Sequence, residues 1–192
     1  MNDHEISALP DALAAIEKDT AALGFSMASD HQTGSLLRTL AASKPGGSLL
    51  EIGTGTGLSA AWILDGMDGG SRLDTVDNDP AVVEIARRHL GNDLRVTFHV
   101  LEGAELLNKL ADREFDLIFA DSWPGKYNHL DEALRILKRG GFYVIDDLLP
   151  QQNWPEGHAA KVPILIEALE AHKNLVITKL GWSTGLIVAV KR

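Results

Sequence analysis

Short apolar runs alternate along the chain with longer stretches in which apolar residues recur every three or four positions. Ile6, Leu9, Leu13 and Ile16 keep helical spacing and predict an amphipathic helix over the first two dozen residues, stopped at Gly24. A second helix is predicted over 33–43, with Leu36, Leu37 and Leu40 inward, ended by Lys44-Pro45-Gly46-Gly47. From there strands and helices take turns. The strand Ser48–Ile52 leads to a helix opening at Leu58, and a strand over 73–77 leads to a helix from Pro80 to about Leu90. Asp79 suits the N-cap of that helix and Pro80 its first turn. A strand at Val96–Val100, a short helix over 104–110 and a buried strand at Phe115–Ala120 follow. A helix over 130–138 stops at Gly140-Gly141, before a strand over 142–145.

Strands that alternate with helices form βαβ units and a mostly parallel sheet, so the fold class is α/β. The tail departs from that alternation. After a helix ending near His172, strands over 175–178 and 186–190 are joined only by residues 181–185. A link that short requires an antiparallel pair. Ligands of such sheets bind beyond the carboxyl ends of the strands. That rule gathers Glu51, Asp77, Asp121, Asp146 and Asp147 on one rim although they are distant in sequence.

Between the first strand and its helix stands Glu51-Ile52-Gly53-Thr54-Gly55-Thr56-Gly57. The glycines permit backbone angles closed to other residues and let a ligand approach main-chain N–H groups at a helix start. Dinucleotide-binding proteins use a comparable loop. The carboxylate of Glu51 suits a cationic ligand better than a pyrophosphate. S-adenosylmethionine, which carries an ammonium and a sulfonium, fits that description.

Length and charge narrow the class further. The 192 residues are enough for one α/β domain, taken as 1–192 with a helical segment 1–45 and a core 46–192. The formal net charge of -9 disfavours nucleic acid, so a small organic acceptor is expected. The chain contains no cysteine, which removes disulfides and thiolate metal sites. No apolar run is long enough to cross a bilayer, so no membrane partner is expected. The start Met1-Asn2-Asp3-His4-Glu5 lacks the basic and apolar regions of a signal peptide, and a cytoplasmic location follows as an expectation.

Five segments in order then resemble the S-adenosylmethionine-dependent O-methyltransferases of the catechol and caffeoyl-coenzyme A type. Met27 followed by Gly34 and Leu36-Leu37 matches the stretch before their first strand, and the loop from Glu51 to Ser59 matches their donor loop. Thr75-Val76-Asp77-Asn78-Asp79-Pro80, the strand ending at Asp121 and the strand ending at Asp146-Asp147 complete the set. The resemblance implies a Rossmann-like class I methyltransferase fold, a seven-stranded sheet ending in an antiparallel hairpin, and a homodimer. It implies S-adenosylmethionine as cofactor, held by Met27, Glu51, Gly53, Thr54, Gly55, Ser59, Asp77, Asn78, Gly103, Ala104 and Asp121. Asp77 would take the ribose hydroxyls, Ser59 the donor's carboxylate, Glu51 and Gly53 the methionine portion, and Gly103-Ala104 the adenine.

The same resemblance places Asp121, Asp146 and Asp147 where relatives hold a divalent cation such as Mg²⁺, a set of oxygens that suits a hard ion. The bland reading of these acids is substrate contact without a metal. Three departures stand out. Relatives carry an acid where this chain has Gly103, commonly an asparagine at Asp147, and a lysine base three residues after Asp121, where this chain has Pro124. Lys126 is nearby but out of register, and with Asp121 and Asp146 it is a catalytic candidate. Trp123 and Trp154 could stack on a planar acceptor, residues 148–158 read as a loop over the site, and His31, His129 and His158 as surface or hydrogen-bonding residues. The alternatives are a metal-independent methyltransferase acting on nitrogen or carboxylate, a nicotinamide-dependent oxidoreductase, and a donor-binding protein without catalysis.

Overall fold

The computed structural model describes residues 2, 5–6, 8–112 and 114–192. Seven helices and seven strands are described: α1 (Leu13–Leu23), α2 (His31–Ala42), β1 (Ser48–Ile52), α3 (Leu58–Gly66), β2 (Arg72–Asp77), α4 (Pro80–Leu90) and β3 (Val96–Val100) come first. They are followed by α5 (Gly103–Lys109), β4 (Phe115–Ala120), α6 (Leu130–Ile136), β5 (Leu137–Ile145), α7 (His158–Ala171), β6 (Leu175–Leu180) and β7 (Leu186–Lys191). The strands form one sheet in the order β3-β2-β1-β4-β5-β7-β6. β1 pairs in parallel with both β2 and β4, while β7 runs antiparallel to β5 and β6. The predicted α/β class, mostly parallel sheet and closing hairpin are all present.

Alternate strand residues feed two cores, because successive side chains of a strand point to opposite faces. Leu49, Leu73, Leu117, Phe119 and Val144 pack against α1, α2 and α3, with Trp62 at the centre. Leu50, Ile52, Ile118, Tyr143 and Ile145 pack against α5, α6 and α7. The result is three layers, with every residue of β1 buried. Close approach of α2 to α3 depends on Gly34, where a Cβ would stand 2.2 Å from the Trp62 ring.

Two boundaries differ from the sequence expectation. The first helix begins only at Leu13, after Ala8 at φ 57° and Pro10, so Leu9 lies outside it and is half exposed. The parts of that expectation that fall on Met1, Asp3, His4 and Ser7 lie outside the described residues. The helix predicted over 130–138 ends at Ile136, and the strand begins at Leu137 rather than at Phe142. Leu137 is fully buried and pairs with Phe115, and the chain then accommodates Gly140 at φ 74° through a register shift. The Lys138-Arg139-Gly140 stretch, exposed at its last two residues, looks like a helix end in sequence and is an irregular strand start in three dimensions.

Candidate active site

β1 lies where the strand order reverses, with β2 on one side and β4 on the other. The loops leaving β1 and β4 therefore diverge and open a crevice at the carboxyl edge. A cavity of about 600 Å³ occupies it.

The floor is the glycine loop. Gly53 has φ 108°, and a Cβ there would meet the Asp121 carbonyl oxygen at 3.0 Å, so the β1 and β4 exits can touch only through a glycine. Gly53 and Thr54 N–H both donate to the Val76 carbonyl, at 2.9 and 3.1 Å. Gly57, at φ 92°, turns the chain into α3. Gly53, Thr54, Gly55 and Ser59 all line the cavity.

Asp77 and Asn78 form the wall from β2. Asp77 accepts from Gly55 N–H at 2.9 Å on one oxygen and from Asp79 N–H at 3.0 Å on the other, which fixes the plane of the carboxylate. Its remaining lone pairs are available to a diol. Asp79 caps α4 through Ala81 N–H at 2.8 Å, which frees Asp77 from that duty. Asn78 donates to Glu102 at 2.8 Å.

Glu51, Gly103 and Ala104 are the predicted cofactor residues that do not line the cavity. Glu51 is fully buried beneath the floor, where Thr75 Oγ1 donates to Oε2 at 2.5 Å and Oε1 has no hydrogen-bond partner. Burial pushes its carboxyl up to about 7, against the hydrogen bonds of Ser59 and Thr75. Gly103 is buried against Ile52 and Pro124, and Ala104 is half-buried behind it.

The opposite wall holds Asp121, Asp146, Asp147 and Lys126. Lys126, out of the relatives' register but expected nearby as a catalytic candidate, lines the cavity. Residues 123–128 form a tight turn, with Tyr127 N–H on the Trp123 carbonyl at 2.9 Å, Gly125 N–H on the Asn128 carbonyl at 2.8 Å and Gly125 at φ 83°. That turn buries Lys126, only 2% exposed, and Nζ donates to the Asp146 carbonyl at 2.9 Å. Burial and the neighbouring Asp146 charge raise the Asp121 carboxyl well above its ordinary value, with Lys126 opposing. Burial and the Asp147 charge push Asp146 up to about 6.

One oxygen of Asp146 and one of Asp121 are already engaged by protein donors. Asp146 Oδ1 accepts from Thr184 Oγ1 and from Asp147 N–H, and Asp121 Oδ2 accepts from Ser29 Oγ at 2.9 Å. Asp147 sits at φ 61°, an angle that few side-chain-bearing residues adopt. Among the described residues, no three His, Cys, Asp or Glu side chains are grouped to hold a metal.

The roof comes from two segments. Met27, 56% exposed, belongs to the N-terminal stretch 25–29, and the loop after β5 supplies Gln151, Asn153, Trp154 and Pro155. Asn153 Nδ2 donates to the Ser26 carbonyl at 2.8 Å and joins the two. Trp123 and Trp154 line the cavity, as expected for stacking residues. His158 follows the hydrogen-bonding side of its expectation and not the surface side: it is buried, stacks on Trp154 at 4.4 Å, and its Nε2 lies 2.8 Å from the Tyr127 hydroxyl. Burial lowers its pKa. Ser29, Thr184 and His158 carried no motif signal; the rim they join is assembled from four separate stretches of chain.

A family model described as a methyltransferase domain matches residues 50–148, from β1 past the paired aspartates. The chain belongs to that methyltransferase family. A Mycobacterium avium protein named as an O-methyltransferase is 31% identical over 146 residues, which cover 73% of this chain and 66% of the relative. The chain thus spans just under two thirds of the length of that relative. A Bacillus cereus O-methyltransferase in complex with SAH has the same fold, with TM-score 0.85 at 20% identity, covering 99% of this chain and 94% of that one. TomG, an O-methyltransferase from Streptomyces achromogenes solved with SAM, gives 0.83 at 22% identity, covering 98% and 93%. No helix of the described residues is long and apolar enough to cross a membrane.

Proposed function

We propose that the protein transfers a methyl group from S-adenosylmethionine to a hydroxyl of a small, planar acceptor. The observation that carries this reading is the single cavity in which the glycine loop, Asp77 and the acid–lysine wall face one another. S-adenosylmethionine, when bound, supplies an electrophilic methyl on a sulfonium, so the protein's task is chiefly alignment. Asp77 accepts the ribose hydroxyls. Gly53, Thr54 and Gly55 form the floor under the donor, with Met27 above and Asn78 beside the adenine side. Ser59 stands at the start of α3, where the helix end favours the donor's carboxylate. Glu51 acts from below: its buried carboxyl braces Thr75 and, through it, Thr54, whose hydroxyls are 2.6 Å apart. Gly103 and Ala104 contribute by packing behind the adenine side.

Trp123 and Trp154 are the acceptor's stacking partners, consistent with their place on the wall. As the acceptor oxygen gains the methyl group, its proton passes to Asp121 or Asp146, whose raised pKa values make them stronger bases than ordinary carboxylates. Incubation with methyl-labelled S-adenosylmethionine and a panel of small phenols tests the reading. Label recovered as a methyl ether supports it, and label found only on amines or carboxylates would replace the hydroxyl acceptor. A cytoplasmic site of action, a single domain over 1–192 and a homodimer belong to the same proposal; the last is tested by light scattering.

A further inference from the structure

Two ring nitrogens at one end of the cavity are buried without a hydrogen-bond partner among the described residues: Trp154 Nε1 and His158 Nδ1. Both residues line the cavity, and their rings stack at 4.4 Å and 21°. An indole nitrogen can only donate. The His158 side chain is 4% exposed, and its Nε2 lies 2.8 Å from the Tyr127 hydroxyl and 3.2 Å from the Asp147 carbonyl. Assigned on the shorter contact, Tyr127 O–H donates to Nε2 and the ring hydrogen sits on Nδ1. A buried donor left without an acceptor is costly, so two on adjacent rings call for oxygens that a ligand would bring.

A third donor beside them is a cation. Lys161 follows His158 by three positions on α7, which puts the two on one face of the helix. Its Nζ lies 4.9 Å from the ring centroid of Trp123, which lines the same cavity. Among the described residues, no carboxylate forms an ion pair with Lys161. The first turn of α7 holds no acid, and its N-cap Gly157 brings no side-chain oxygen, so the helix end adds to the positive potential. The cavity is acidic along the strand ends and rich in donors at the start of α7.

We propose that this end receives a carboxylate and that the methyl acceptor is a hydroxylated aromatic acid. Its hydroxyl faces Asp121 and Asp146, and its carboxylate lies on Trp154 Nε1–H, His158 Nδ1–H and the Lys161 ammonium. A carboxylate offers two oxygens, enough for both ring donors, and Lys161 balances its charge. A neutral carbonyl would satisfy a ring N–H but would leave Lys161 without a counter-ion. Lys161 touches no reacting atom and acts on specificity. The inference rests on the methyltransferase reading and names the class of substrate within it.

The probes are 3,4-dihydroxybenzoate and its methyl ester, titrated calorimetrically into the protein with and without saturating S-adenosylhomocysteine. The wild type is expected to bind the acid roughly fivefold more tightly than the ester, because hydrogen bonds to a charged group are the stronger ones. Lys161→Met keeps the stem over Trp123 and is expected to remove most of that preference, and Lys161→Glu to invert it. Trp154→Phe retains the stack, deletes the indole N–H and is expected to cut the ratio about twofold. The ratio of the two affinities is what is read, so a loosened fold that weakens both ligands alike leaves it in place. A wild type that binds the acid no better than the ester, or not at all, overturns the proposal, as does a preference that survives in both Lys161 variants. Failure of S-adenosylhomocysteine to bind overturns the methyltransferase reading instead, and the acid-to-ester ratio is still read on the ligand-free protein.

Discussion

Gly103 and Pro124 fit against one another so closely that a Cβ on Gly103 would lie 3.2 Å from Pro124 Cβ and 3.0 Å from Ile52 Cγ2. These are two of the positions at which the sequence departs from the pattern of the O-methyltransferases it resembles, and they meet in space. The proline ring fills the room that an acidic side chain at 103 would need. The chain immediately after it turns at Gly125 and sets Lys126 Nζ on the Asp146 main-chain carbonyl. One local repacking thus links the absent acid, the absent lysine and the buried Lys126.

Gly103→Asp is therefore expected to destabilise the protein by about 1–3 kcal/mol, as overpacking of a filled core does. Urea denaturation of the variant checks this. Adding Pro124→Ala should return part of the loss, because it removes the Pro124 Cγ that a Cβ at 103 would meet at 3.4 Å. A single variant as stable as the wild type would contradict the packing described here.

Asp77→Ala removes the carboxylate held between Gly55 and Asp79. Loss of hydrogen bonds to a charged group weakens donor binding by about 1.5–3 kcal/mol, roughly ten- to a hundredfold in Kd. Calorimetry with S-adenosylhomocysteine reads this directly. An unchanged Kd would remove Asp77 from the donor site.

Glu51 carries a pH signature. Its folded-state carboxyl is pushed up to about 7 by burial, against 4.5 in the unfolded chain. Between these values the unfolded chain has released the proton that the folded chain keeps. The contribution of Glu51 to stability accordingly falls as pH rises from 4.5 to about 7 and is level above that, by about 1.4 kcal/mol for each unit of difference. Glu51→Gln is expected to flatten the wild-type decline over that window in the ligand-free protein. Parallel stability curves for the two proteins would show that Glu51 is ionised throughout.

Asn153 ties the loop after β5 to the segment before α2 through the Ser26 carbonyl at 2.8 Å. Asn153→Ala deletes that strap across the cavity mouth. One partly exposed hydrogen bond contributes about 0.5–1.5 kcal/mol, so donor release is expected to speed up two- to tenfold. Stopped-flow displacement of bound S-adenosylhomocysteine measures it, and an unaltered rate would mean that the roof opens elsewhere.

The regular parts of this molecule were readable from residue order because each strand is a dense apolar run closed by a turn. The run Phe115-Asp116-Leu117-Ile118-Phe119-Ala120 can only be a buried strand, and Asp79-Pro80 marks its helix start by chemistry alone. Leu137 was not readable as a strand residue, since its pairing with Phe115 is a contact across more than twenty positions. The floor of the site was legible for the same reason as the strands: glycines and acids at strand ends fall at fixed places in the fold. Lys126 was legible as a nearby candidate and His158 as a hydrogen-bonding residue, but the burial of neither was. Sequence gives their charge, whereas their burial depends on a turn clamped by Tyr143 and on a ring stacked over Trp154. Spacing along the chain carries no trace of either.

The central claim is that the crevice between Gly53, Asp77 and Asp121 is a methyl-donor site. Calorimetric titration of S-adenosylmethionine into the protein, with NADH as the competing cofactor, tests it most directly. The account predicts one saturable site for S-adenosylmethionine, weakened by Asp77→Ala and indifferent to a chelator, and no heat from NADH. Absence of S-adenosylmethionine binding, or NADH binding that Asp77→Ala weakens, would contradict it.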